Sequence, residues 1–214
     1  MLSVDSIFFD VDGTLVNSAG DIAKAMNYTL NRLGIAEKPT REIASYIGTG
    51  VRDLARKSTG SDDDNIIDEA VRIFSEYYLS HSTDESTLYP HVKEMLEHFK
   101  GKRKFILTNR YKRFADVTLK GFGIRDYFEA ILGGDDESCM KPSACVIDNF
   151  LPKLGIEKGR SLIVGDMAID IMTGKNSGIK TCWVTYGLGR SEDLLGLSPD
   201  FIVDDIMELS RIIK

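Results

Sequence analysis

Histidine is scarce in this chain, three in 214 residues, and tryptophan occurs once. His81, His91 and His98 show no ligand spacing at a strand end, which argues against a histidine-built metal centre. Cysteine is equally sparse. Cys139, Cys145 and Cys182 are odd in number, contain no CxxC pair, and read as buried or partly buried free thiols. No stretch approaches the roughly 20 apolar residues that span a bilayer. The opening Met1-Leu2-Ser3-Val4-Asp5 lacks the basic flank and long apolar run of a signal peptide. The expectation is a cytoplasmic protein with no membrane partner. Positive charge is also in deficit: 27 Lys and Arg against 33 Asp and Glu give a net charge of −6. That disfavours sequence-independent binding of nucleic acid, yet leaves room for a local basic pocket that takes a small anion. Internal repeats are absent, and the only biased tract is the brief acidic run Asp62-Asp63-Asp64.

What is present is ordinary globular composition, 43% hydrophobic and 28% charged, in a length between one and two typical domains. Short apolar runs recur: Ile7-Phe8-Phe9, Phe105-Ile106-Leu107, Ile131-Leu132, Leu162-Ile163-Val164, Cys182-Trp183-Val184 and Phe201-Ile202-Val203. Continuous rather than alternating hydrophobicity is what a parallel sheet covered on both faces requires. From Phe105 onward, strands alternate with helical patterns such as Val146, Ile147, Phe150, Leu151 and Leu154, a stripe that Pro152 should bend or fray. The spacing predicts a doubly wound, mainly parallel α/β layer.

Residues 17–87 behave differently. Ile22, Met26, Leu30 and Leu33 form a helical stripe closed by Gly34. Ser61 and the acidic run suit a helix N-terminus, and Ile66, Ile67, Ala70, Val71, Phe74, Tyr77 and Tyr78 follow at helical spacing. A span this long without a strand is no simple loop. The expected organisation is therefore a catalytic core of residues 1–16 and 88–214, with a helical cap of residues 17–87 inserted after the first strand.

Three apolar strands end in a polar group: Asp10 after Phe9, Thr108 after Leu107, and Asp166 after Val164-Gly165. Carboxyl ends of parallel strands share one edge, where ligands bind. Asp10 and Asp12 fall on one side of an extended chain, and Asp166 and Asp170 on one face of a helix. Converging carboxylates raise one another's pKa unless a cation sits among them, and a hard divalent ion with oxygen ligands resolves the conflict. Lys141 supplies a fixed positive charge, and Pro142 after it suggests a helix starting there.

With these residues in hand, the sequence resembles the haloacid dehalogenase superfamily of phosphohydrolases, in its phosphoglycolate-phosphatase-like branch. Four motifs carry the resemblance in order: Asp10-Val11-Asp12-Gly13-Thr14, Thr108-Asn109, Lys141-Pro142, and Gly165-Asp166 with Asp170. Gly133-Gly134-Asp135-Asp136 is similar to the same branch. The resemblance implies a Rossmann-like core with a small α-helical cap, and a phosphatase that forms an aspartyl phosphate on Asp10 with Asp12 as acid and base. It implies Mg²⁺ held by Asp10, the Asp12 carbonyl and Asp166, with Asp170 holding the set. Thr108, Asn109 and Lys141 would bind the phosphoryl group. Ile47-Gly48-Thr49-Gly50-Val51-Arg52 resembles the family's specificity loop, which makes Arg52 a candidate anion contact; Arg110, directly after Thr108-Asn109, is another. Met167, His91 and Ala144 depart from what relatives commonly carry, and none is a reacting group.

The expected partner is a small phosphorylated metabolite, 2-phosphoglycolate first, handled by a monomer or homodimer. A sugar phosphomutase and a pyrophosphatase share the fold and the catalytic set. A phospho-acceptor signalling module also uses strand-end Asp, Thr and Lys, but it is shorter and lacks a helical insert.

Overall fold

The computed structural model describes residues 1–214. The chain begins with β1 (Ser6–Phe9), whose residues are all buried, and a short strand β2 (Val16–Asn17) follows the Asp10–Leu15 loop. Four helices come next: α1 (Ala19–Arg32), α2 (Thr40–Ala44), α3 (Val51–Thr59) and α4 (Asp64–His81). The chain re-enters through β3 (Thr87–Leu88), which pairs antiparallel with β2 through Val16 opposite Leu88 and Asn17 opposite Thr87. The outgoing and returning strands thus sit side by side.

The remainder alternates as the apolar runs predict. It contains α5 (Val92–His98), β4 (Arg103–Leu107), α6 (Lys112–Gly121), β5 (Ala130–Leu132), α7 (Cys145–Asp148), α8 (Leu151–Leu154), β6 (Ser161–Gly165), α9 (Ala168–Ser177), β7 (Lys180–Val184), β8 (Phe201–Val203) and α10 (Leu209–Ile212). Six strands form one sheet in the order β5-β4-β1-β6-β7-β8, and every pair in it is parallel. Crossovers run in both directions from β1, so the sheet is doubly wound.

Both faces of β1 are buried, and the pleat divides its side chains between two cores. Ile7 and Phe9 join Ile106, Leu162 and Val164 on one face, while Phe8 joins Phe105, Leu107 and Ile163 on the other. Phe8 and Phe105 stack at 5.0 Å between centroids. Each such ring contributes about 1.5–3 kcal/mol by leaving water. A third cluster fills the helical layer with Ile22, Met26 and Leu30 of α1, Ile43 of α2, Leu54 of α3, and Ile67, Phe74 and Tyr78 of α4. Phe114 of α6 belongs to this cluster too and ties the layer to the sheet side.

Local signals explain the helix ends. Asp63 caps α4 by accepting the Asn65 amide hydrogen at 2.9 Å. The stripe around residues 146–154 is broken into α7 and α8, with Pro152 in the first turn of α8. Two expectations need correcting. No helix begins at Pro142: the Lys141–Pro142 bond is cis, the chain turns, and α7 starts only at Cys145. Lys141 therefore owes nothing to a helix terminus. Cys139 and Cys145 are also not free thiols but a disulfide, because the turn brings their Cα atoms to 5.7 Å. Cys182 alone is free, and it is buried. No helix is long and apolar enough to cross a membrane.

Candidate active site

The three central strands β4, β1 and β6 end together, and their next residues supply the site. The Asp10 amide donates to Val164 O at 3.0 Å, and the Thr108 amide to Leu132 O at 3.0 Å, so each residue is fixed by the ladder it leaves. Asp166 follows β6 directly, and Asp170 lies in the first turn of α9. Carboxylate oxygens of Asp10, Asp166 and Asp170 lie within 4.8 Å of one another, all three residues buried.

Lys141 reaches this cluster from its loop. Its Nζ lies 2.6 Å from Asp170 Oδ1 and 3.0 Å from Asp10 Oδ1, and the side chain is only 1% exposed. The contact to Asp10 is a close, buried ion pair. The other oxygen of Asp170 accepts the Met167 amide hydrogen at 3.0 Å. Asp170 thus orients Lys141 and closes the start of α9 at once.

Asp166 is cradled more closely. Its Oδ1 accepts from the Thr14 hydroxyl at 2.8 Å, and its Oδ2 from the amides of Leu188 and Gly189 at 2.8 and 3.1 Å. Trp183 Nε1 donates to its backbone carbonyl at 2.7 Å. The fit demands glycine nearby: at Gly13, where φ is +84°, a Cβ would stand 2.1 Å from Asp166 Oδ2. At Gly165 it would stand 2.2 Å from Asp170 Cγ.

The electrostatics are those of crowded acids. Burial, then Asp10 and Asp170, pushes the Asp166 carboxyl up to about 8. Burial also pushes Asp170 up to about 6, with Lys141 opposing and Asp10 adding to the rise. Asp12 is raised by burial and by Asp10, against the pull of Arg110. Burial works against the charged form of Lys141, but Asp10 and Asp170 outweigh it and hold the ammonium protonated. Three buried carboxylates around one lysine leave negative charge uncompensated, and every donor is a hard oxygen. That set fits a divalent cation and does not fit a soft metal.

Asp12 faces a second cation. Its Oδ1 lies 2.9 Å from Arg110 and accepts a hydrogen bond from Ser18. Arg110 is buried, not a surface charge. It donates to Thr118 Oγ1 at 3.1 Å and to the hydroxyl of Tyr78, a fully buried residue of α4. A cavity of ≈ 50 Å³ opens over these groups, lined by Asp10, Asp12, Thr108, Asn109, Arg110 and Lys141 on the sheet side. Ile22, Ile47, Gly48, Gly50, Val51, Leu54, Phe74 and Tyr78 line it from the helical layer.

One candidate stands elsewhere than expected, and another is occupied. Arg52 does not line the cavity. The acidic start of α4 captures it, with Asp64 at 2.9 Å and Asp68 also bonded, and Glu137 stands at 3.4 Å. Asn109 lines the cavity but has its amide committed: Nδ2 donates to Gly48 O at 3.0 Å and Lys141 O at 2.9 Å, while Oδ1 accepts from Lys141 N at 2.8 Å. It staples the Ile47–Gly50 loop to the Lys141 loop. Sequence reading gave no role to Thr14, Ser18, Tyr78 or Trp183. Thr14 stands inside a motif and carried a signal; Tyr78 was legible only as part of a helical stripe.

Comparison with known proteins points the same way. The model of haloacid dehalogenase-like hydrolases matches residues 7–184. A phosphoglycolate phosphatase of Vibrio parahaemolyticus is 32% identical over 97% of this chain and 95% of its own. One of Aquifex aeolicus is 34% identical over 92% and 98%. Among solved structures, a predicted phosphoglycolate phosphatase of Haemophilus somnus superposes with a TM-score of 0.92 at 29% identity, covering 99% of both chains. Strand order, clustered carboxylates and relatives converge, and the chain belongs to the haloacid dehalogenase-like hydrolase family as one of its phosphatases.

Proposed function

We propose that the protein hydrolyses a small phosphomonoester, 2-phosphoglycolate first, through an aspartyl phosphate on Asp10 and with Mg²⁺ as the ion of the carboxylate cluster. The observation that carries this reading is Asp10 itself: a buried carboxylate 3.0 Å from the Lys141 ammonium that lines a small cavity together with Asp12, Thr108 and Arg110. Curated relatives of near-equal length are phosphoglycolate phosphatases, which supports the choice of ester.

In the first step an Asp10 oxygen attacks phosphorus in line, the ester P–O bond breaks, and Asp12 gives its proton to the departing alkoxide. In the second, water attacks the phosphorus of the acyl phosphate while Asp12 takes a proton from it. Inorganic phosphate leaves and the Asp10 carboxylate is restored. Lys141, the Thr108 hydroxyl and neighbouring amides bind the phosphoryl oxygens where negative charge spreads. Asp10, Asp166 and the Asp12 carbonyl, with Asp170 in support, would hold Mg²⁺, which would supply positive charge to offset the negative charge of the site. Arg110 is the cation in the cavity nearest Asp12, and it is the partner available to the carboxylate of 2-phosphoglycolate.

The test is phosphate release from a panel of small esters, with and without Mg²⁺. 2-Phosphoglycolate should give the highest kcat/KM, Asp10→Asn should abolish turnover with the fold intact, and Asp12→Asn should slow it by roughly 10²–10⁴. Full turnover by Asp10→Asn would remove the phosphoenzyme.

A further inference from the structure

Two half-buried sulfurs stand on either side of Lys141. The Cys139–Cys145 bond closes residues 139–145 into a loop with Lys141 and Pro142 inside it. Neither cysteine has a part in the chemistry above. The loop has other ties: Asn109 grips the backbone of Lys141 on both sides, and Asn176 Nδ2 donates to Pro142 O at 2.9 Å. These hold the centre of the loop. Its shoulders carry only short local bonds, Cys139 N to Asp136 O at 2.9 Å and Ser143 N to Met140 O at 2.8 Å, so the bridge is the one covalent tie between them.

We propose that Cys139 and Cys145 form a thiol–disulfide exchange site for low-molecular-weight thiols and disulfides, whose bridged state pins Lys141 against Asp10 and Asp170 and whose open state lowers turnover. The effect on turnover rests on the role assigned to Lys141; the exchange chemistry does not. Both sulfurs carry neighbours able to donate to a thiolate, Asn149 Nδ2 at 3.7 Å from Cys139 Sγ and Ser143 Oγ at 3.2 Å from Cys145 Sγ. Cys182 contrasts with them: it is fully buried, and burial pushes its thiol up to about 12.

Oxidation balances in two displacements. One cysteine thiolate attacks a sulfur of a small disulfide, forming a mixed disulfide and expelling a small thiolate. The other cysteine thiolate then attacks the protein sulfur of that mixed bond, forming the bridge and expelling the second small thiolate. Two electrons pass from the cysteines to the small disulfide, and the protons of the two cysteine thiols end on the released thiols. A dithiol reductant runs the same steps backwards.

The experiment uses the full chain equilibrated with oxidised glutathione or with dithiothreitol, the reagent then removed. Thiols are counted by alkylation under denaturing conditions, hydrogen exchange is followed in the peptide holding the Lys141 amide, and phosphate release from p-nitrophenyl phosphate is measured with Mg²⁺. The oxidised chain should show one reactive thiol and the reduced chain three. Reduction should speed exchange at Lys141 about tenfold, because opening the loop no longer has to work against the bridge. It should lower kcat about three- to tenfold, less than the roughly hundredfold cost of a displaced group because Asn109 still holds the backbone. Cys139→Ser and Cys145→Ser should sit at the reduced rate in either reagent, whereas Cys182→Ala should keep the full response. Three thiols after oxidation, or identical exchange and kcat in both states, would overturn the proposal. Absence of turnover in every state would instead strike the Asp10 reading, with thiol count and exchange still deciding the fate of the pair.

Discussion

Lys141 neutralises part of a cluster that has no other cation against Asp10 and Asp170, and its side chain has left water almost entirely. Replacing it with methionine keeps most of the apolar stem and removes only the charge. Two buried carboxylates then face each other uncompensated, which costs about 3–5 kcal/mol when one partner of a buried pair is deleted. Proton uptake by Asp170 recovers part of that. The expected outcome for Lys141→Met is a loss of about 10²–10³ in kcat, the scale of one lost electrostatic donor. Chemical denaturation should show it less stable than wild type at neutral pH, with the gap narrowing as pH falls and the carboxyls protonate. A variant with wild-type turnover would remove Lys141 from the site. At this scale much was legible. Asp10, Thr108, Asp166 and Lys141 could be found because a strand end or a motif marks each one. Arg110 was ambiguous from sequence because its burial depends on Tyr78, 32 residues earlier and on another layer. The cysteine pair was illegible for a related reason. A sequence separation of 6 says nothing until a turn decides where the Cβ vectors point.

Among the elements, α3 shows how a helix outside the sheet is fastened. Asp53 in its first turn accepts from Thr49 and Arg56, and its Oδ2 lies 2.6 Å from Lys57 Nζ. Burial works to raise its pKa, but Lys57, Thr49 and Arg56 together outweigh that and hold the carboxyl at about 2, below its ordinary 3.8. The folded form binds its proton less readily than the unfolded form. The stabilisation is therefore complete above pH 3.8 and disappears as pH falls towards about 2. Urea midpoints taken at pH 5 and pH 2.5 should fall further for wild type than for Asp53→Asn, which has no carboxyl to titrate. An equal fall in both would place the acid sensitivity elsewhere. The elements themselves were the most readable part of the chain. Continuous apolar runs marked the parallel strands, Gly34 marked the end of α1, and Pro152 the break between α7 and α8. The helix expected at Pro142 failed because a proline after lysine fits a tight cis turn as well as a first helical turn.

On the scale of the whole molecule, the carboxylate cluster joins parts of the chain that are far apart in sequence. Asp10 follows β1 and Asp170 lies in α9, while Asp166 is held by Thr14 and by the Leu188–Gly189 amides. The helical layer is joined to the same centre by Tyr78 bonded to Arg110, and by Phe114 of α6 packed into its core. An ion that binds only the assembled cluster stabilises everything connected to it, by about 2.7 kcal/mol at a hundred times its Kd. For a chain of this length each kcal/mol moves Tm by about 2–4 °C, so Mg²⁺ should raise it by roughly 5–10 °C and a chelator should reverse the gain. The single tryptophan supplies a local probe, since the Trp183 indole donates to the Asp166 carbonyl at 2.7 Å. Far-ultraviolet circular dichroism, weighted towards α1 and α4, supplies a second one for the helical layer. If Tyr78 and Phe114 couple the layers, the fluorescence and dichroism transitions coincide, and both move by the same amount when Mg²⁺ is added. A fluorescence transition that moves alone would mean that the helical layer melts independently, and that the Tyr78–Arg110 bond carries no stability from the carboxylates to the helices. Tyr78→Phe, which keeps the ring in the apolar cluster and deletes only the hydroxyl, then separates the two links. Coincident transitions that persist in this variant assign the coupling to Phe114, and transitions that split assign it to the Arg110 bond.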